Sequence, residues 1–229
     1  MKAKTTQEEI KKTFQPWLDK FNNRSHQALI DYRGFIPPDE RSGFPRAGQN
    51  QCPNGLIPFP IQQVEDEIFG LVDVLLKELE SFDNVLEIGL GNFGGTHALW
   101  RCIFKNVTTI EQGGSLINRI KQNNPEFNDG KSNIIHGSSF DEGNLNKIPK
   151  EIDFLFIDGD HNYGAVAADF NIYRKIVKKN GIIAFHDSKQ QNFGVYQFIK
   201  NLKNDFSETG IEVKDIWLSN DIGISYFKT

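Results

Sequence analysis

The segment from Phe154 to Asp187, FLFIDGDHNYGAVAADFNIYRKIVKKNGIIAFHD, places Asp158, Asp160, His161, His186 and Asp187 directly behind two short apolar runs. Carboxylates and imidazoles are the side chains of proton transfer and of cation binding. Phe154 to Ile157 and Ile182 to Phe185 are continuously apolar, as parallel strands covered on both faces must be. Between them Val166, Phe170, Tyr173, Ile176 and Val177 recur at helical spacing, so the unit reads as strand, helix, strand. All five polar groups then gather at the carboxyl ends of neighbouring strands, where an open α/β sheet binds its ligands. A strand-end carboxylate taken alone more often caps the next helix; the five-residue constellation is harder to explain that way.

A second constellation stands upstream. The run Glu87-Ile88-Gly89-Leu90-Gly91-Asn92-Phe93-Gly94-Gly95-Thr96 follows an apolar strand, Val85 to Ile88, and opens a helix. Glycines there let a ligand approach the backbone closely. Glu111, followed by Gln112, ends the next strand about 20 residues on, where a carboxylate can accept both hydroxyls of a ribose. The pattern fits an adenosine-type cofactor and does not separate nicotinamide dinucleotides from S-adenosylmethionine. Glu87 tilts the choice: a carboxylate before the first glycine suits a cationic amino end and would repel a pyrophosphate.

These groups need a sheet to hold them. Further strands are expected at Val107 to Ile110 and Asn133 to His136, and helices at Ile61 to Glu80, Thr96 to Phe104, Ser115 to Asn123, Tyr163 to Lys178 and Val195 to Asp205. The tail, IEVKDIWLSNDIGISYF, alternates on both sides of Ser219-Asn220-Asp221 and reads as a hairpin. The expected fold is α/β: a Rossmann-like, seven-stranded, mostly parallel sheet with helices on both faces and an antiparallel C-terminal hairpin. Residues 1–60 form an extension before a domain over 61–229. Its first part, Thr5 to about Ile30, reads as an amphipathic helix carrying Ile10, Phe14, Trp17, Leu18 and Phe21, with Pro16 able to kink it. This aromatic helix leaves open a homodimer. Six of the nine prolines then fall between Pro37 and Pro60, an irregular segment suited equally to a lid or substrate loop and to a surface wrap or partner arm.

Composition narrows the function. A net charge of -4 argues against broad attraction to nucleic acid or anionic membrane. No apolar run approaches the ~20 residues of a membrane span, and the start MKAKTTQEEI lacks a signal-peptide core. Cys52 and Cys102 have no metal spacing and read as free thiols of a cytoplasmic protein. His26, His97 and His136 read singly as core or surface histidines, and Trp17, Trp100 and Trp217 as packing residues.

Taken in order, these motifs resemble class I S-adenosylmethionine-dependent methyltransferases. IDGDHNY followed by GIIAFHD is similar to the small-molecule O-methyltransferases related to the catechol enzymes, the macrolide-sugar enzymes and cephalosporin-hydroxylase-like proteins. The resemblance covers roughly Glu67 to Thr229. It implies that Glu87, Gly89, Gly91, Gly94, Gly95 and Thr96 meet the methionine part, that Glu111 and Gln112 meet the ribose, and that Ser138, Ser139 and Phe140 border the adenine. Asp158 and Asp160 would lie beside the cofactor. It also implies a divalent metal held by Asp158, His186 and Asp187, with His161 as general base on a hydroxyl of a sugar, phenol or secondary metabolite. The turn is one residue longer than the short form of the catechol group. His186 stands where an acidic ligand is expected, shifting the preferred ion from magnesium toward manganese, iron or zinc. Two other functions stay open: an NAD(P)-dependent oxidoreductase, and a non-catalytic cofactor-binding module.

Overall fold

The computed structural model describes residues 5–22, 63–91, 93–218 and 222–229. The Pro/Gly-rich segment, the helix expected beyond residue 22, His26, Cys52, Asn92 and the turn Ser219-Asn220-Asp221 lie outside them.

Helix α1 (Gln7–Asn22) starts on a reciprocal cap. The Glu9 amide donates to Thr6 Oγ1 (3.2 Å) and the Thr6 amide to Glu9 Oε2 (2.8 Å). Pro16 does not split it. The ring removes only the bond to the carbonyl of Lys12, and both residues are exposed, so water can serve that carbonyl. Ile10, Phe14 and Trp17 are buried in the chain's own core. Helix α2 (Glu65–Glu78) buries Ile68, Leu71, Val72 and Leu75 beside it.

The alternating part follows: β1 (Asn84–Ile88), α3 (Gly95–Ile103), β2 (Asn106–Glu111), α4 (Gly114–Asn123), β3 (Ser132–His136), β4 (Ile152–Ile157), α5 (Tyr163–Tyr173), β5 (Val177–His186), α6 (Gly194–Phe206), β6 (Lys214–Ile216) and β7 (Ile224–Lys228). The strands form one sheet in the order β3-β2-β1-β4-β5-β7-β6. Pairing is parallel as far as β5 and antiparallel for β7 and β6, so the expected fold and hairpin are observed. Alternate residues of β4 feed two cores: Phe154 and Phe156 pack on the face of α1 to α4, and Ile152, Leu155 and Ile157 on the face of α5 and α6. The order reverses between β1 and β4, which opens a crevice at their carboxyl ends.

The helix expected over Tyr163 to Lys178 is shorter. It ends at Tyr173, a 3₁₀ turn covers Arg174–Ile176, and Val177 and Lys178 already belong to β5. The strand tolerates Asn180-Gly181 in its middle because the register shifts there and Asn180 takes a positive φ of 66°. A period of 3.6 was therefore read one turn too far, across residues whose β partners come from β4 and the C-terminus.

The hairpin is tied to α2 by a buried acid. Glu67 is fully buried, accepting from the Leu218 amide at Oε1 (2.8 Å) and the Gly223 amide at Oε2 (3.0 Å). Glu67→Gln sets an amide NH₂ against one of those donors, and the expected result is a loss of about 1–3 kcal/mol in a urea unfolding curve.

Candidate active site

Two glycine-permitted approaches assemble the crevice. Gly89 sits at φ +93°, its amide donating to Ile110 O (3.0 Å), while the Asp158 amide donates to Ile88 O (2.9 Å). A Cβ at Gly89 would stand 2.2 Å from the Asp158 carbonyl oxygen. The glycine turn and the acidic strand end are therefore in backbone contact. Gly194, at the start of α6, would put a Cβ 2.0 Å from the Tyr163 amide. That approach sets Phe193 flat on the His161 ring, with centroids 4.3 Å apart and planes at 15°.

On the β2 side, Glu111 receives the Leu90 amide at Oε2 (3.0 Å) and the Gly113 amide at Oε1 (2.7 Å). An ionised carboxylate offers about four lone-pair sites, so two remain for a diol. Ser138, Ser139 and Phe140 follow β3, and Phe140 is 49% exposed, an aromatic face free for a planar ring. Ser139 is gripped by α5: Tyr173 Oη donates to its carbonyl (2.5 Å), and its hydroxyl bonds Asp169. Asp169 is buried, burial pushes its carboxyl up to about 6, and its Oδ1 has no hydrogen-bond partner. Asp160 accepts from the Asn162 amide (2.8 Å) and turns the chain into α5. Gln112 gives its carbonyl to His136 Nε2 (3.1 Å).

At the ends of β4 and β5 the acid and imidazole groups form an alternating chain. His186 Nδ1 lies 3.0 Å from Asp158 Oδ1 and 3.2 Å from Asp187 Oδ2, and His161 Nε2 lies 3.0 Å from the same Asp187 oxygen. Asp187 reaches both by adopting φ 56°, a left-handed conformation that Asp tolerates better than most residues. Burial opposes charge on His186, yet the two carboxylates override it and hold its pKa well above the ordinary value. The hydrogen bond that His161 donates to Asp187 raises its pKa above 6.5 against the opposing effect of burial. Burial resists ionisation of Asp187 and the two imidazoles overcome it, keeping the carboxyl low.

The geometry offers a ligand set beside the expected Asp158, His186 and Asp187. Among the described residues, Asp158, His161 and Asp187 bring ligand atoms within 4.8 Å of one another. His186 stands behind them with Nδ1 committed to the two carboxylates and Nε2 buried without a hydrogen-bond partner. Glu87 lies on β1, two residues before Gly89. It is fully buried, accepting from Trp100 Nε1 (3.2 Å) and Thr109 Oγ1 (2.7 Å). Burial, opposed by bonds from Thr96 and Thr109, lifts its carboxyl to about 8.

Three residues of the site were missed in the sequence. Gln63 is buried and donates from Nε2 to Asp158 Oδ2 (2.8 Å), leaving its Oε1 unpartnered. Phe193 stacks on His161, and Asp169 faces Ser139. Only Asp169 left a signal, as the one acid on an otherwise apolar helix, AVAADF.

Residues 82–188 match the family model of a methyltransferase domain. A stretch of 73 residues is 47% identical to an uncharacterised protein, R132, of Acanthamoeba polyphaga mimivirus, covering 30% of this chain and 33% of that protein. The fold is that of an O-methyltransferase from Bacillus cereus crystallised with S-adenosylhomocysteine, at TM-score 0.56 and 15% identity over 98% of this chain and 100% of that one. An rRNA methylase from Streptococcus thermophilus is similarly related, at TM-score 0.54 and 11% identity over 73% and 98% of the two chains. Among the described residues, no helix is long and apolar enough to cross a membrane.

Proposed function

We propose that this protein is an S-adenosylmethionine-dependent O-methyltransferase acting on a hydroxyl of a small molecule, with His161 as the base. The observation that carries this reading is the His161–Asp187 contact at the β4 and β5 ends, beside the glycine turn of a methyltransferase domain. S-adenosylmethionine supplies, when bound, a sulfonium methyl open to in-line displacement. The attacking oxygen must lose its proton as it attacks, and an imidazole is suited to take it near neutral pH. Asp187 orients His161 and stabilises the imidazolium that forms, while Phe193 fixes the ring plane. Glu111 would hold the ribose diol and Phe140 would cover the adenine.

Asp158, His161 and Asp187 are also the donor set a divalent cation would use, with carboxylates and imidazole suiting manganese, iron or zinc as well as magnesium. The two uses compete, because an Nε2 that holds a cation cannot accept a proton. Calorimetric titration of the metal-stripped protein with S-adenosylhomocysteine, repeated with magnesium, manganese and zinc, tests both readings. No binding in any condition rejects the cofactor. A metal that binds yet suppresses methyl transfer favours the free base.

The charge on His161 gives a pH prediction. The base works only when neutral, and its pKa is raised, so the acid limb of the kcat profile is expected above pH 6.5. Asp187→Asn removes the cause of the shift. The limb should then move to lower pH while the rate falls, and a limb that stays in place would exclude His161 as the titrating base.

A further inference from the structure

Glu87 poses a problem that its surroundings answer. It has no exposed surface, yet it lies two residues before Gly89, on the strand that leads to the cofactor turn. A sealed acid can change its protonation state only if a path exists for the proton. Thr109 Oγ1 is 2.7 Å from Glu87 Oε2 and 2.7 Å from His97 Nδ1; His97 Nε2 is 2.8 Å from Ser132 Oγ; and Ser132 Oγ receives Arg101 Nη1 at 2.6 Å. Glu87, Thr109 and His97 are buried, Ser132 is half-buried, and Arg101 pairs with Asp129 at the surface. Each intermediate member can donate on one side and accept on the other.

We infer that Thr109, His97 and Ser132 form a reversible proton wire through which Glu87 ionises when the cationic end of the cofactor arrives at the glycine turn. This rests on the cofactor reading above. In the acid state Glu87 donates to Thr109, Thr109 to His97 Nδ1, and His97 Nε2–H to Ser132. On ionisation the Glu87 proton passes to Thr109 Oγ, the Thr109 proton to His97 Nδ1, the His97 Nε2 proton to Ser132 Oγ, and the Ser132 proton to water. One proton leaves Glu87 and one appears in solvent. Every hydrogen bond of the chain survives with its direction reversed, and Arg101 donates to Ser132 in both states. His97 stays neutral and changes only its tautomer. Burial holds its pKa down to about 3, with Arg101 and Lys121 adding to that and Asp129 opposing it. Around Glu87, Asp158 at the end of β4 is the facing charge that resists ionisation, while Thr96, Thr109 and Trp100 favour it. A cation over Gly89 adds to the second group.

The test is the ring nitrogen spectrum of His97, assigned with His97→Gln and followed by NMR from about pH 6 to about pH 9, a range bracketing a carboxyl raised to about 8. The expected result is a neutral ring throughout, with Nε2–H at the low end giving way to Nδ1–H at the high end. S-adenosylhomocysteine added at about pH 7 should convert the ring to Nδ1–H and release close to one proton, read by calorimetry in two buffers of different protonation heat. Its affinity should then fall about ten-fold per pH unit toward acid. Thr109→Val should freeze the tautomer, and Thr109→Ser should restore the exchange. A single tautomer across the range, or a ring that gains charge, overturns the wire. Binding of S-adenosylhomocysteine with no tautomer change and no proton release overturns its link to the cofactor. If S-adenosylhomocysteine does not bind, the cofactor reading and that link both fall, while the pH-driven exchange still decides the wire.

Discussion

Asp158→Asn is expected to lower methyl transfer by about 10²- to 10⁴-fold while leaving affinity for S-adenosylhomocysteine within about three-fold. Asp158 accepts from Gln63 at one oxygen and from His186 at the other. An asparagine there turns an NH₂ toward one of these donors and removes a charge that pairs with His186 and favours the charged form of His161. The rest of the cofactor turn is anchored elsewhere, by Glu111 and the Ile110 carbonyl. The measurement is radiolabelled methyl transfer from S-adenosylmethionine to a panel of hydroxyl compounds, paired with calorimetry on the same preparation. Turnover at the wild-type rate would remove Asp158 from the chemistry. Loss of cofactor binding in parallel with turnover would mean that the strand end shapes the cofactor pocket instead.

Gly89→Ala should be a severely damaging substitution, combining a left-handed backbone with a clash against a neighbouring strand. Its backbone sits at φ +93°, and the added carbon would meet the Asp158 carbonyl oxygen at 2.2 Å, so β1 and β4 must part at their carboxyl ends. A cost of about 4 kcal/mol or more is expected in denaturant unfolding, a large part of the stability of an ordinary domain. Gly130→Ala separates conformational strain from the clash. Gly130 also has a positive φ, +84°, but nothing lies within 4 Å of its missing Cβ, so only about 1–2 kcal/mol should be lost. Equal losses at the two positions would show that close approach at the β1–β4 seam does not matter.

The central strands were legible because β1, β4 and the second half of β5 are short apolar runs between polar turns, the C-terminal pair because it alternates, and the glycine turn because its spacing is tied to one backbone path. The polar constellation at 158–187 was legible as a group but not as a geometry. How the two imidazoles meet the carboxylates depends on the left-handed turn at Asp187 and on the stacking of Phe193 over His161, and neither leaves a local pattern. The resemblance named His186 as a ligand, and its ring stands beside Phe156 with Nδ1 turned to the two carboxylates. Glu87 was placed correctly along β1, but its burial is a property of α3, which lays Trp100 and His97 across that face of the sheet. Gln63 could not be read at all. It lies 95 positions from the carboxylate it holds, and a glutamine before a helix carries no signature of its own.

That contact bears on how such a domain can be moved between proteins. The matched stretch, 82–188, contains the glycine turn, Glu111 and the whole acid and imidazole chain, and on paper it is a portable cassette. Physically it is not. Cut at those limits, it would lack Gln63, the helix α2 whose Glu67 secures the hairpin, and the strand β7 that seals the edge of β5. Phe154, Leu99 and Trp100 would lose the cover of α1 and α2 and turn an apolar wall to water. A graft of this chemistry onto another scaffold must therefore carry its flanks with it, because the flanks hold both the acid and the wall behind it.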